Sequence, residues 1–201
     1  MRFILVDIDT QVDFMLPEGS LYVKGAEKLI PELKKLFEFL KEKRDFKIFS
    51  SVDTHKKNDP EFKDFPPHCI EGERGWQKIE ETILPQHIFI PLHKKVEVKG
   101  EIKEKRQYIF KKNKFSIFSN INLESFLEIF EIKEVFIMGV ATEYCVRASA
   151  LDFLKRNLKT HIITDLIKEV DKVEGEKALK EMEEKGAILI KRKDFFKRFK
   201  I

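Results

Sequence analysis

Short, continuously apolar runs alternate along the chain with segments in which apolar residues recur every three or four positions. The apolar runs are Phe3–Ile8, Phe46–Val52, His87–Leu92, Tyr108–Phe110, Glu134–Met138, Thr160–Thr164 and Ala187–Ile190. Several have no polar face, as expected of strands covered on both sides. Between them, Ala26–Lys43 puts Leu29, Leu33, Leu36, Phe37 and Leu40 on one helical stripe. Asn122–Phe130, Tyr144–Asn157 and Glu174–Lys185 read as further helices, with Asn122 placed to cap the first of these and Gly186 to stop the last. This alternation predicts a three-layer α/β/α fold around a mainly parallel sheet of about six strands, joined by right-handed crossovers. No internal repeat or low-complexity linker divides the chain, so residues 1–201 read as one domain. The alternation lapses at 53–75, a stretch rich in Pro, Asp, Glu and His. Irregular segments of that length inside a domain are uncommon and usually functional.

Composition narrows the class. With 42% hydrophobic residues and 19 Phe in 201, the chain carries enough apolar surface for a core, which excludes disorder as its main state. Charged residues reach 37% while Asn and Gln together number nine, a balance enriched in proteins of hot environments. The formal charge of +4 suggests a polyanion partner, but residues 191–201 hold six Lys/Arg against one Asp, leaving the rest near −1. No basic face for nucleic acid follows. That tail reads as a terminal helix laying Phe195, Phe196 and Phe199 on the domain, the alternative being a membrane-surface or nucleic-acid helix. Two cysteines, Cys69 and Cys145, make no disulfide framework and point to a reducing compartment. Only four residues separate Arg2 from Asp7, too few for a signal peptide, and no stretch approaches the ~18 apolar residues of a membrane span. The expectation is a cytoplasmic protein without a nucleic-acid or membrane partner.

Ligands of parallel sheets sit beyond the carboxyl ends of the strands, so the residues just after each apolar run carry the chemical information. After the first run, Asp7, Asp9 and Asp13 fall within seven residues, either as site carboxylates or as caps of a turn. After the second come Asp53-Thr54-His55, then Glu61 and His68. An Asp-x-His pair on extended backbone presents two side chains to one ion, and the mixed oxygen and imidazole set suits Zn²⁺, Mn²⁺ or Fe²⁺ rather than Ca²⁺. A solvated polar loop is the competing reading. In Gly139-Val140-Ala141-Thr142-Glu143-Tyr144-Cys145, a small-residue turn delivers a cysteine into the first turn of a helix. There the dipole and free N–H groups favour a thiolate and a developing oxyanion; a buried structural cysteine is the alternative. Lys112, by itself, is one lysine among many.

Four segments resemble, in order, the isochorismatase-like cysteine hydrolases, and within them the nicotinamidases. They are Asp9-Thr10-Gln11-Val12-Asp13-Phe14, Phe65-Pro66-Pro67-His68, Lys112-Asn113-Lys114-Phe115-Ser116-Ile117-Phe118 and Gly139–Val146. The resemblance implies a catalytic triad of Asp9, Lys112 and Cys145, with Lys112 favouring the thiolate, and an oxyanion hole from the N–H groups of Ala141 and Cys145. It further implies a cis Val140–Ala141 peptide. It implies one divalent metal ion, Zn first with Fe or Mn possible, held by Asp53, His55, Glu61 and His68, and an aromatic wall of Phe14, Phe65, Tyr144 and Phe118. The activity implied is hydrolysis of nicotinamide to nicotinate and ammonia through a thioester; such proteins are commonly homo-oligomers, but the sequence itself carries no interface signal. Two alternatives remain: a relative acting on another small amide or vinyl ether, and a non-catalytic protein that binds through its basic tail.

Overall fold

Strands without a polar face need cover on both sides, and the helices between them supply it. The computed structural model describes residues 2–43 and 46–199. Among them, β1 (Phe3–Ile8), β2 (Ile48–Asp53), β3 (His87–Ile90), β4 (Gln107–Lys112), β5 (Glu134–Val140), β6 (Lys159–Lys168) and β7 (Ile188–Ile190) form one sheet in the order β3-β4-β2-β1-β5-β6-β7. Every pairing is parallel. The sheet thus has seven strands where about six are expected, the last a three-residue edge strand.

The helices are α1 (Val12–Met15), α2 (Ile30–Glu42), α3 (Glu101–Glu104), α4 (Leu123–Ile129), α5 (Arg147–Lys155), α6 (Lys172–Glu184) and α7 (Arg192–Arg198). The two-residue period of a strand divides β1 between two cores. Ile4, Val6 and Ile8 join Phe126 of α4, Ala150 and Phe153 of α5 and Met182 of α6. Leu5 joins Leu33, Leu36, Phe37 and Leu40 of α2 and Phe195 of α7. These side chains are fully excluded from solvent, and each large one stabilises the fold by about 1.5–3 kcal/mol.

Two local expectations are corrected. Asn122 does not cap α4 with its side chain, because its own backbone is already helical (φ −96°, ψ −19°) whereas a capping residue is normally extended. Its amide instead accepts from Val96 N–H and donates to the Pro91 and Lys94 carbonyls, stitching down the connection after β3. The nucleophile segment opens with a π-helical turn over Thr142–Val146, and α5 proper begins at Arg147. Gly186 does stop α6, with φ +104° and its N–H on the Glu183 carbonyl.

The tail packs on the domain as expected. Phe195 is completely buried, 5.1 Å from the Phe136 ring, and Phe199 sits 4.7 Å from Phe3. Arg198 adds an ion pair to Glu134. Lys200 and Ile201 lie outside the described residues. Phe195→Ala is expected to lower unfolding free energy by about 3–5 kcal/mol. Exposed Lys193→Ala should change it by less than about 0.5 kcal/mol; urea titrations of the two variants check this.

Gly139 sets the spacing of the two central strands. At φ +116° it lets β5 pass so close to β1 that a Cβ there would stand 2.0 Å from the Ile8 carbonyl oxygen. The ends of β1 and β5 are thereby pressed together.

Candidate active site

Strands β4, β2, β1 and β5 are neighbours in the sheet, and each delivers a chemically distinctive residue at its carboxyl end. Lys112 closes β4, Asp53 closes β2, Asp9 follows β1, and Cys145 follows β5 through the turn at Ala141. The ammonium of Lys112 lies 2.9 Å from Asp9 Oδ2, 3.2 Å from Asp53 Oδ1 and 3.5 Å from Cys145 Sγ. Lys112 and Asp9 are fully buried and Cys145 is nearly so. Asp9 and Cys145, the two residues the resemblance groups with Lys112, thus lie beside its ammonium together with Asp53, which the resemblance assigns to the metal, and the Val140–Ala141 bond is cis.

Burial and mutual charge set the protonation of this cluster. Burial raises the pKa of Asp9, assisted by the nearby Asp53 charge and opposed by Lys112. Asp53 moves the other way: burial would raise it, but Lys112 and the flanking histidines hold it well below the usual carboxylate range. Lys112 is pushed above its ordinary value, because Asp53, Asp9 and Cys145 outweigh its desolvation. One ammonium therefore stands among three potential anions, and of the two carboxyl groups Asp53 is the one held more firmly as an anion. The Cys145 thiol is raised well above its ordinary value, by burial first and by Asp9 and Asp53 in addition, against the pull of Lys112. Burial and the two neighbouring carboxyl groups thus oppose the thiolate that Lys112 favours. The group is a thiol beside a carboxylate of raised pKa, suited to proton exchange between them.

The three N-terminal carboxylates separate into three roles. Asp9, in the left-handed region at φ +48°, is held by Ser51, whose hydroxyl donates to Oδ1 at 2.7 Å. Asp7 belongs to a separate buried network, 2.7 Å from Lys78 Nζ and accepting from Thr10 and Ser50. Asp13 accepts from the backbone N–H groups of Cys69 and Ser20 at 2.7 and 3.0 Å, tying the 53–75 segment to α1. Gly75 packs so tightly against that carboxylate that a Cβ would come within 2.1 Å of it. Sequence reasoning quoted Gln11 in the first resembling segment but gave it no role; its amide accepts from Asp53 N–H and donates to the Asp53 and Trp76 carbonyls at 2.7, 3.0 and 2.8 Å. It passed over Ser51. The signal for both is an uncharged polar residue in or beside an otherwise apolar strand.

Asp53, His55, Glu61 and His68 each offer one ligand atom, all within 4.8 Å of one another. His55 Nε2 is 3.1 Å and His68 Nε2 is 3.5 Å from Asp53 Oδ2. Both ring nitrogens of His55 are buried without a hydrogen bond of proper geometry, an arrangement that costs free energy unless something satisfies them. Burial lowers the His55 pKa, but the adjoining Asp53 carboxylate, helped by Asp59 and Glu61, outweighs this and raises it to about 9. A buried imidazole crowded by carboxylates is what a divalent cation would relieve, so these residues fit a resident metal ion. The segment carrying them is not structureless. His55 pairs with Ile70 as a β-bridge, and a 3₁₀ turn at Pro60–Lys63 carries Glu61.

A cavity of about 100 Å³ opens between the cysteine and this cluster. Phe14, Phe65 and Tyr144 line it as expected, together with Phe115, Val170, Glu61 and His68. Phe118 does not. The turn Ile117–Ser119 carries its ring onto α5, 4.8 Å from Phe153 with the Arg156 guanidinium 3.9 Å over it. Phe115 takes the place instead, its ring 5.5 Å from Tyr144. Glu143, two residues before the cysteine, accepts from the N–H groups of Val170 and Asp171 and so holds the cavity rim. The interior is small and largely apolar, with Asp53, Glu61, His68 and Cys145 as its chemically reactive lining. Among the described residues no helix is long and apolar enough to cross a membrane.

Residues 3–194 match the model of the isochorismatase domain family. Among curated proteins, the nicotinamidase of Saccharomyces cerevisiae is 27% identical over 188 residues, covering 80% of this chain and 85% of the yeast protein. The nicotinamidase/pyrazinamidase of Mycobacterium tuberculosis is 26% identical over 193 residues, covering 89% and 92%. Among solved structures, the pyrazinamidase of Pyrococcus horikoshii in complex with zinc superposes with a TM-score of 0.79 at 29% identity, covering 95% of this chain and 99% of that one.

Proposed function

Since the chain belongs to the isochorismatase family, we propose that it is a nicotinamidase-like amidohydrolase, cleaving a nicotinamide-sized aromatic carboxamide to the acid and ammonia. The observation that carries this reading is the Lys112 ammonium within 3.5 Å of both a buried carboxylate and a buried thiol, the thiol itself lining a cavity that Phe14, Phe65, Phe115 and Tyr144 also line.

In this mechanism the Cys145 sulfur attacks the amide carbonyl as its proton passes to Asp9, so no free thiolate need be stored in the apolar surroundings. Lys112 keeps its proton throughout and balances the charge that moves between sulfur and carboxylate. The carbonyl oxygen, as it gains negative charge, is met by the backbone N–H groups of Ala141 and Cys145. Asp9 then gives its proton to the leaving nitrogen, ammonia departs, and an acyl-thioester on Cys145 remains. Water attacks that thioester, losing a proton to Asp9. The carbonyl re-forms, the sulfur leaves and recovers the proton, and the carboxylic acid product is released. Phe14, Phe65, Phe115 and Tyr144 enclose the ring and exclude bulk water. A divalent ion held by Asp53, His55, Glu61 and His68, zinc foremost, would supply a Lewis-acid contact for a ring nitrogen and so orient the substrate.

Ammonia release from nicotinamide, measured with purified protein before and after chelator dialysis, tests the proposal. About one equivalent of transition metal per chain is expected, with loss of most nicotinamide turnover on its removal and recovery on adding Zn²⁺. His55→Ala is expected to reduce metal occupancy and raise KM by ~10-fold or more, with a smaller change in kcat. Metal-free protein with undiminished turnover would overturn the assignment of this cluster.

A further inference from the structure

Asp59 stands outside the four residues that converge on the metal position, yet it touches two of the elements that carry them. Its Oδ2 lies 3.1 Å from His55 Nδ1, across the ring from the Nε2 that faces Asp53. Its Oδ1 accepts the Glu61 N–H at 3.0 Å and so opens the 3₁₀ turn Pro60–Lys63 that carries Glu61. The side chain is largely buried, 18% exposed. We infer that Asp59 is a positioning residue of the metal centre, one carboxylate aligning both His55 and Glu61 from behind; this rests on the reading of Asp53, His55, Glu61 and His68 as a metal site.

An imidazole that ligates must present one nitrogen's lone pair to the ion. The other nitrogen must then carry the proton and have an acceptor that fixes both tautomer and ring angle. His68 obtains this from the main chain, its Nδ1 standing 2.7 Å from the Pro66 carbonyl oxygen with Nε2 turned toward Asp53. At His55 the group placed for this is a side chain four residues on, the Asp59 carboxylate, 3.1 Å from Nδ1 as an ion-pair contact rather than an aligned hydrogen bond. The two histidines are thus placed alike, Nδ1 facing an oxygen and Nε2 inward, by different means. Only the means at His55 is removable by substitution.

Two variants separate orientation from simple capping. Asp59→Ser keeps a side-chain oxygen able to accept the Glu61 N–H but is too short to reach His55; Asp59→Ala removes both contacts. Metal-free wild type and variants would be titrated with Zn²⁺ alone, in competition with a chromophoric chelator. The expected result is a loss of zinc affinity of about 10–100-fold in both variants, with thermal midpoints of the metal-free proteins close to wild type. Co²⁺ substitution gives a second readout, a changed ligand-field spectrum in Asp59→Ser, that a purely structural role would not produce. Zinc affinity of Asp59→Ser equal to wild type would overturn the inference while leaving the metal site intact. Failure of the wild type to bind Zn²⁺ at all would overturn both, so the two failures are distinguishable.

Discussion

Cys145→Ala is expected to reduce amide hydrolysis by at least about 10⁴-fold while the protein remains folded. Acylation needs a nucleophile at this position, and residues that act as one unit lose nearly all activity when any member is removed. The substitution deletes one buried sulfur from the edge of the core that includes Ile8, Val146 and Ala150. The cost in stability should therefore be about 1–2 kcal/mol, within the ordinary range for point variants. Because Lys112 remains paired with Asp9 and Asp53, no charge is left uncompensated. Ammonia release and the thermal midpoint, measured on the same preparation, decide the matter. Wild-type turnover in this variant would end the mechanism, whereas an unfolded protein would show only that the cysteine is structural.

Lys112→Met is expected to fail on both counts. It removes the one cation between two buried carboxylates, and breaking such a cluster costs about 3–5 kcal/mol because the remaining charge has no solvent to stabilise it. The pH dependence gives a sharper test. In the wild type, Asp53 is held well below its ordinary pKa, so its contribution to stability is present above pH ~4 and is lost as pH falls further. Without Lys112, Asp9 rises further above its ordinary value and Asp53 loses the strongest influence that lowers it. The penalty in the variant is then full at neutral pH and shrinks as the carboxylates protonate on acidification. The stability gap between wild type and Lys112→Met should accordingly narrow from pH 7 to pH 4.5 in denaturant titrations. A constant gap would show that lost packing, not lost charge, is what the substitution removes. Hydrolysis should be abolished at both values.

The seven strand positions were legible in the chain because a doubly covered strand leaves a run with no polar face, and β1 matches its apolar run residue for residue. The ends were less legible. β6 continues through Asp165 to Lys168, well beyond the apolar stretch, because its later residues are fixed by pairing with Gly139 and Val140 rather than by hydrophobic pattern. Within the candidate site, Asp9, Asp53, His55, Glu61, His68 and Cys145 stood out by residue type and strand-end position, whereas Lys112 was singled out only by the family resemblance. The supporting roles of Ser51 and Asp59 were not legible, and Gln11 and Asp13, though they stand in the first resembling segment, showed no sign of what they hold, since a residue's partner is set by the fold. Phe118 and Phe115 stand three apart in the same segment, and the choice between them depends on one short turn.

The sequence by itself determined which side chains this protein can bring to bear and in what order along a parallel sheet, since alternation and strand-end position follow from local chemistry. Only the tertiary structure decided how their charges are shared. Whether Cys145 rests as thiol or thiolate depends on the distances of Lys112, Asp9 and Asp53 and on how far burial keeps solvent from them. Those distances arise where β4, β2, β1 and β5 end side by side, bringing together residues that no local pattern in the chain connects.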